Sequence, residues 1–170
     1  MVVLEIIEAP NRILKQKARH VMPDEFGYEL EKFMNDLVET MYEDEGVGLA
    51  APQVGDSRRI IVAEPRRPGE DEDKVPLYAM INPEIIERSN EMICCEGGES
   101  CLSLPGFQFM VPRHKVIRVR WQDEEGEVHT RQIRDYRAIV VQHEIDHLDG
   151  ITLLERASRV HRRNWLRTRR

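Results

Sequence analysis

The sequence predicts an α+β fold, with antiparallel sheets packed around a central helix that carries His143-Glu144-Ile145-Asp146-His147, a long helix near the N-terminus and a C-terminal helix. Three observations predict it. Strand-like segments dominate the middle of the chain, helical periodicity marks its two ends, and strands do not alternate with helices as a parallel βαβ fold requires. At 170 residues, 41% hydrophobic and 33% charged, the chain suits one domain, 1–170, able to bury a core without a disulfide scaffold. No repeat or low-complexity block divides it. The most linker-like stretch, Arg66 to Asp73, is too short to separate domains and reads as an exposed loop.

In chain order, apolar residues recur at Phe26, Leu30, Phe33, Met34, Leu37, Val38 and Met41. Steps of three and four place them on one stripe of a helix from about Asp24 to Asp44, with Asp24 as candidate N-cap and Gly46 as terminator. Arg59 to Val62 reads as a short buried strand, and Tyr78–Ile81 and Glu84–Glu87 as strands joined through Asn82-Pro83. Lys115–Trp121 and Val128–Ile133 alternate polar and apolar residues around Asp123-Glu124-Glu125-Gly126, a hairpin pattern. Ala138 to Val141 then leads straight into His143–His147, with Asp135 as candidate cap and Gly150 where the helix should stop.

Composition excludes several function classes. No apolar run approaches the roughly 20 residues of a membrane span, and Glu5 and Glu8 interrupt the start where a signal peptide is basic and then apolar. The net charge is −6, yet Arg156 to Arg170 holds seven arginines and no acid, which leaves residues 1–155 at −13. So acidic a body does not suit DNA, whereas the basic tail or helix at 156–170 suits phosphates. Cys94, Cys95 and Cys101 are odd in number and clustered, which points to a reducing cytoplasm and to metal or catalytic chemistry rather than a disulfide framework.

His143 and His147 stand at i and i+4 with Glu144 beside the first, the H-E-x-x-H spacing that aims two imidazoles at one metal ion. The plain alternative is a helix whose histidines merely face polar neighbours, but the apolar run before them would bury both. A catalytic site of this kind usually has three protein ligands and one open position. A metzincin-type third His would fall at position 153, which is Leu153, and a thermolysin-type Glu is absent, since Asp149 and Glu155 lie too near. The third ligand is therefore expected upstream, with Cys101 the best candidate and Cys94 and Cys95 its competitors, read as packing residues on opposite sides of a strand. Gly46 to Gly55, rich in Gly and Ala, allows a backbone to approach a ligand closely, although a simple tight turn explains it as well.

Three segments, Gly46-Val47-Gly48-Leu49-Ala50-Ala51-Pro52-Gln53-Val54, Glu99-Ser100-Cys101-Leu102-Ser103 and His143-Glu144-Ile145-Asp146-His147, together with the opening Ala9 to Leu14, resemble the peptide deformylase family from about Ala9 to Leu154. The family usually carries Gly where this chain has Ser100; if that position needs a positive φ, Ser100 strains the loop. The resemblance implies a hydrolase that removes the formyl group from the N-terminal formyl-methionine of new proteins, releasing formate. It implies one divalent metal, Fe²⁺ first, with Zn²⁺, Ni²⁺ or Co²⁺ as alternatives, on Cys101, His143 and His147. Glu144 would be the proton carrier, Gln53 and the Leu102 N–H would stabilise the oxyanion, and the Gly48 carbonyl would hold the substrate backbone. Val47, Ile139 and Val140 are candidates for the methionine pocket, and Asp146 is a candidate partner for a ligating imidazole or a solvent-facing carboxylate. Partners would be N-formylmethionyl nascent peptides and, through Arg156–Arg170, the ribosome, in a bacterial cytoplasm and with no membrane or DNA. Two alternatives stand beside this reading: another metal-dependent amidase or peptidase with the same Cys-His-His set, and a catalytically silent relative that binds nascent chains or ribosomes.

Overall fold

In the computed structural model, residues 2–67, 69–70 and 75–169 are described, so the loop expected at Arg66 to Asp73 lies partly outside them. Strands β1 (Gly48–Ala50), β2 (Ile60–Ala63) and β3 (Tyr78–Arg88) begin the main sheet, a two-stranded ribbon of β4 (Met92–Ile93) and β5 (Arg113–His114) follows, and β6 (Val116–Gln122) and β7 (Val128–Arg134) complete the sheet. Its order is β1-β2-β3-β6-β7, antiparallel throughout. The helices are α1 (Tyr28–Glu43), α2 (Asp135–Leu148), α3 (Leu153–Arg156) and α4 (Arg159–Arg167).

Alternate residues of β2 explain the layering. Ile60 and Val62 pack on the α1 side with Leu30, Met34, Leu37 and Met41. Ile61 and Ala63 pack on the α2 side with Ala138, Val141, Ile145 and Leu148. Both faces of this strand are covered, so it reads as an unbroken apolar run. Helix α2 is enclosed on nearly every side, with buried residues from Ala138 through Ile145 without interruption. A helix in that position needs no amphipathic pattern. Gln142 docks it to β5: the side-chain Oε1 accepts the His114 N–H at 3.1 Å and Nε2 donates to the His114 carbonyl at 2.8 Å.

The element boundaries shift where local chemistry competes. Asp24 does not cap α1; Pro23–Glu25 form a separate 3₁₀ turn, and the helix starts after Gly27, whose φ of 131° only glycine accepts readily. It ends at Glu43, before Gly46, and Glu45 takes the left-handed conformation with φ 53°. Asp135 is the first residue of α2 and caps nothing; its φ is 57° and Arg134 holds the cap position with no side-chain bond. The two strands expected around Asn82-Pro83 are one strand with a register shift between Ile81 and Glu84.

Asn82 makes that bulge a joint. Its φ is 53°, its Oδ1 accepts the Val21 N–H at 2.8 Å, and its Nδ2 donates to the Val21 carbonyl at 3.0 Å and to Gln122 at 2.9 Å. Asn82→Ala should lower unfolding stability by about 2–3 kcal/mol, from lost bonds to a half-buried backbone and left-handed strain. Asn82→Gly, which removes the bonds but relieves the strain, should lose roughly 1 kcal/mol less. Denaturant unfolding of the two variants checks both values.

Candidate metal centre and substrate cleft

Two segments far apart in sequence meet at α2. The segment Glu99–Ser103 brings Cys101 against the helix, and His143 and His147 lie one turn apart on the face it covers. The Cys101 Sγ is 3.3 Å from His147 Nε2, and the two imidazole Nε2 atoms are also 3.3 Å apart. Cys101, His143 and His147 are all buried.

The other ring nitrogen of His143 donates to a Glu99 carboxylate oxygen at 2.8 Å. Its Nε2 therefore presents a lone pair to the cluster when the ring is neutral. Burial pushes the His147 imidazole well below its usual range, and neighbouring His143 adds to this. Burial pushes His143 down too, but hydrogen bonds to Cys101 and Glu99 outweigh it and raise its pKa well above normal. One sulfur and two imidazole nitrogens thus converge within 4.8 Å of one another. Cysteine sulfur with imidazole is an ordinary donor set for a divalent cation. The residues present fit a single metal ion.

Glu99 is itself held. Its two oxygens receive Arg113 Nε and Nη2, each at 2.9 Å, a bidentate fork between side chains only 4% and 5% exposed. Burial opposes ionisation of Glu99, yet the bonds from His143 and Arg113 outweigh it and lower its pKa. Asp146 does not touch either imidazole. It binds Arg113 Nη1 and, on its outer side, Arg156, so the carboxylate partner expected of it is supplied by Glu99 instead. Arg113 and Arg156 engage both Asp146 oxygens, while the Glu99 segment brings its carboxylate within 2.8 Å of His143 Nδ1.

Glu144 lies beside the cluster, 4% exposed, and its Oε2 has no hydrogen-bond partner among the described residues. Burial pushes its carboxyl up to about 7. Gly48 on β1 is the backbone next to it: a Cβ there would collide with the Glu144 carboxylate. Gly46 likewise leaves room for Leu102, whose Cδ1 would lie 2.9 Å from an added Cβ. Here the small residues of the 46–55 stretch have a physical reason.

Gln53 is oriented from both ends. Its Oε1 accepts the Ala50 N–H at 2.9 Å, and its Nε2 donates to Ser103 Oγ at 3.1 Å and faces Cys101 Sγ at 3.6 Å. The N-terminal arm braces the same region, since Ile7 N–H donates to the Gln53 carbonyl and Ala9 N–H to the Ser103 carbonyl. Val47, Gly48, Gln53, Cys101, Leu102, Ile139, Val140, His143 and Glu144 line one cavity of about 410 Å³, a size usual for a small-ligand site. His147 closes the metal cluster behind it.

Sequence reasoning missed Glu99 as a partner of His143, missed Arg113 and Tyr136 altogether, and misplaced Cys95. Cys94 and Cys95 are not packing residues on a strand: β4 ends at Ile93, Cys94 is exposed, and Cys95 is half-buried in the cavity wall. Ser100 is exposed and takes no positive φ, so Ser in place of the usual Gly brings no backbone strain.

A family model, polypeptide deformylase, matches residues 3–163. The chain belongs to this family. Among its relatives, the peptide deformylase of Thermus thermophilus is 43% identical over 167 residues, 93% of this chain and 84% of that one. That of Rickettsia akari is 39% identical over 169 residues, 95% of this chain and 91% of that one. The crystal structure of the Ehrlichia chaffeensis enzyme superposes with a TM-score of 0.89 at 32% identity, covering 98% of this chain and 94% of that one. A Met-Ala-Ser-bound class I type b deformylase from Acinetobacter baumannii gives 0.82 at 37% identity, covering 92% and 99%. The fold is a deformylase fold of mixed helix and antiparallel sheet, and the protein is a metal-dependent hydrolase that removes the formyl group from N-terminal formyl-methionine.

Cys101→Ser should abolish tight metal binding, because a hydroxyl is a far poorer ligand than a thiolate at neutral pH. Cys94→Ser and Cys95→Ser should keep the metal content of the unsubstituted protein. Metal analysis of the three purified variants checks this, and metal retained by Cys101→Ser but lost from Cys95→Ser would reverse the ligand assignment.

Proposed function

We propose that Cys101, His143 and His147 hold the catalytic ion, Fe²⁺ in preference to Zn²⁺, Ni²⁺ or Co²⁺, and that Glu144 carries the proton in deformylation. The observation that carries this reading is the buried Glu144 carboxylate with an unpartnered oxygen, set between the three donors and the Gly48 backbone. The ion supplies the Lewis acidity that makes water a nucleophile near neutral pH. Glu144 accepts the proton of the attacking water and returns it to the leaving amine. Gln53 Nε2 and the Leu102 N–H receive the negative charge that develops on the formyl oxygen. The orientation of the Gln53 amide, with its nitrogen toward Cys101 and its oxygen on Ala50, supports that role.

The Gly48 carbonyl accepts the substrate's backbone N–H, and Val47, Ile139 and Val140 take the methionine side chain. The Acinetobacter baumannii relative that carries Met-Ala-Ser supports a peptide product in the same cleft. The whole of 1–170 acts as one domain in this reading, consistent with a family match over 3–163. Its site of action in this reading is the bacterial cytoplasm, supported by the bacterial origin of the Rickettsia akari and Thermus thermophilus relatives; no helix among the described residues is long and apolar enough to cross a membrane.

Glu144→Gln preserves size and removes the base. The variant should fold, keep its metal and bind formyl-Met-Ala-Ser, yet turn over ~10²–10⁴-fold more slowly. His143→Ala and His147→Ala should instead lose metal and activity together. Anaerobic formate release with metal analysis on the same samples separates the two classes, and a near-normal kcat for metal-loaded Glu144→Gln would end this mechanism.

The basic tail at 156–170 extends the proposal to ribosomal RNA. Arg156 and Arg169 are engaged within the protein, Arg169 with Glu8 and the Pro105 carbonyl. Arg159, Arg162, Arg163 and Arg167 line a shallow groove on α4 with Val160 and Leu166, and these four are the phosphate contacts of this reading. Removing the four charges together should weaken ribosome co-sedimentation at low salt and spare turnover of a short formyl peptide. Equal sedimentation would rule out the contact.

A further inference from the structure

We propose that Arg156 is a positioning residue for the metal centre, the outer anchor of a chain of ion pairs that ends on His143. The chain runs Arg156, Asp146, Arg113, Glu99, His143, drawn in turn from α3, α2, β5, the Glu99–Ser103 segment and α2 again. It starts at the surface, where the Arg156 side chain is 41% exposed, and passes to Asp146 at 14% and to Arg113 and Glu99 at 4% and 5%.

An exposed ion pair by itself contributes little. The geometry here differs in two respects. Arg156 grips Asp146 with a fork, Nε to Oδ2 at 3.0 Å and Nη2 to Oδ1 at 2.5 Å, so both carboxylate oxygens are fixed. The fork also rises from a rigid base. Leu153 and Leu154 are buried in a cluster with Leu14, Leu104 and Trp165, and Thr152 and Glu155 cap the start of the helix.

Asp146 then presents Oδ2 to Arg113 Nη1, while the other two Arg113 donors hold Glu99. A guanidinium is planar, so the direction of one edge sets the direction of the other. Fixing Asp146 therefore fixes the fork on Glu99, and Glu99 in turn holds the ring of His143 through Nδ1. Partners that orient a ligating histidine commonly change metal affinity by 10–100-fold. Arg156 lies further out, and its loss is expected to act at the lower edge of that range.

Charge and position make opposite forecasts. Deleting a positive charge near the site would, by field alone, retain a cation longer; loosening the chain releases it sooner. The inference rests on the metal-ligand assignment above, and its test reads metal release rather than turnover. Holoenzyme loaded with Co²⁺ is mixed with excess chelator, and release is followed together with the visible spectrum of the bound ion. Arg156→Met should release the metal about tenfold faster, with an altered spectrum. Arg156→Lys keeps the charge but cannot form the fork, and should also release faster. Arg131→Met, an exposed β7 arginine with no ion-pair partner among the described residues, serves as control and should match the unsubstituted protein.

A release rate for Arg156→Met within twofold of the unsubstituted protein overturns the proposal. So does an Arg156→Lys variant that behaves as unsubstituted while Arg156→Met releases more slowly, since that pattern is charge alone. Lower thermal stability with unchanged release and spectrum makes the pair merely structural and also overturns it. Failure of the underlying ligand assignment is distinct: the unsubstituted protein would then take up no Co²⁺, or Cys101→Ser would retain it.

Discussion

The contact on which the rest of the site depends is the Glu99 carboxylate, shared between the Arg113 guanidinium and the His143 ring. A carboxylate this deeply buried is costly unless it is paired and fully hydrogen-bonded. Glu99 is both, with two bonds from Arg113 and one from His143. Removing Arg113 would take away the ion-pair partner and two of these three bonds, and breaking a buried pair in this way typically costs about 3–5 kcal/mol, roughly half the stability of a small domain. The same short segment supplies Cys101 two residues later, so one loop both brings a thiol to the cluster and orients one of its imidazoles. The ribbon of β4 and β5 exists in this arrangement to deliver Arg113, and Gln142 ties that ribbon back to α2.

A second constraint is space. Two histidines and a glutamate inside the molecule need backbone, not side chains, on the facing wall. Gly48 supplies it beside Glu144 and Gly46 beside Leu102. β1 in turn is held in register with β2, Gly48 opposite Ala63, and β2 is packed from both faces. The close approach at the cleft is thus fixed by the centre of the core, which allows little movement because interiors are densely packed.

The C-terminal segment divides its arginines between two environments. Arg156 turns inward to Asp146, and Arg169 stacks on Trp165 while donating to the Pro105 carbonyl in the turn after the Cys101 segment. The four on α4 between them face the surrounding solution along one groove. A run of like charges in sequence therefore does not behave as one patch. Neighbours in space decide which charges are available to a partner.

By itself the sequence determined the fold class, the central HEIDH helix and the β6–β7 hairpin, each from local periodicity or a short motif whose spacing is set by helix or strand geometry. Val47, Gly48, Gln53, Leu102, Ile139 and Val140, which line the cleft, came from the resemblance to the deformylase family. The i, i+4 histidines needed only the helix, whereas Cys101 was the best of three upstream cysteines once the downstream positions were excluded, and the resemblance to the family singled it out. Other features came from contacts between segments distant along the chain. No pattern in the sequence reveals that Glu99 rather than Asp146 would meet the imidazole, because that depends on which loop crosses α2. Arg113 belongs to a two-residue strand too short to show periodicity, and Cys95 entered the cavity wall because β4 stops at Ile93. Helix starts moved for the same kind of reason: Gly27 could take a φ that Asp24 had no occasion to use, and Asp135 was drawn into the left-handed region at the turn from β7. Local chemistry proposed the elements, and the tertiary structure chose which of their polar groups meet, since a buried charge must find its partner wherever the packing brings one.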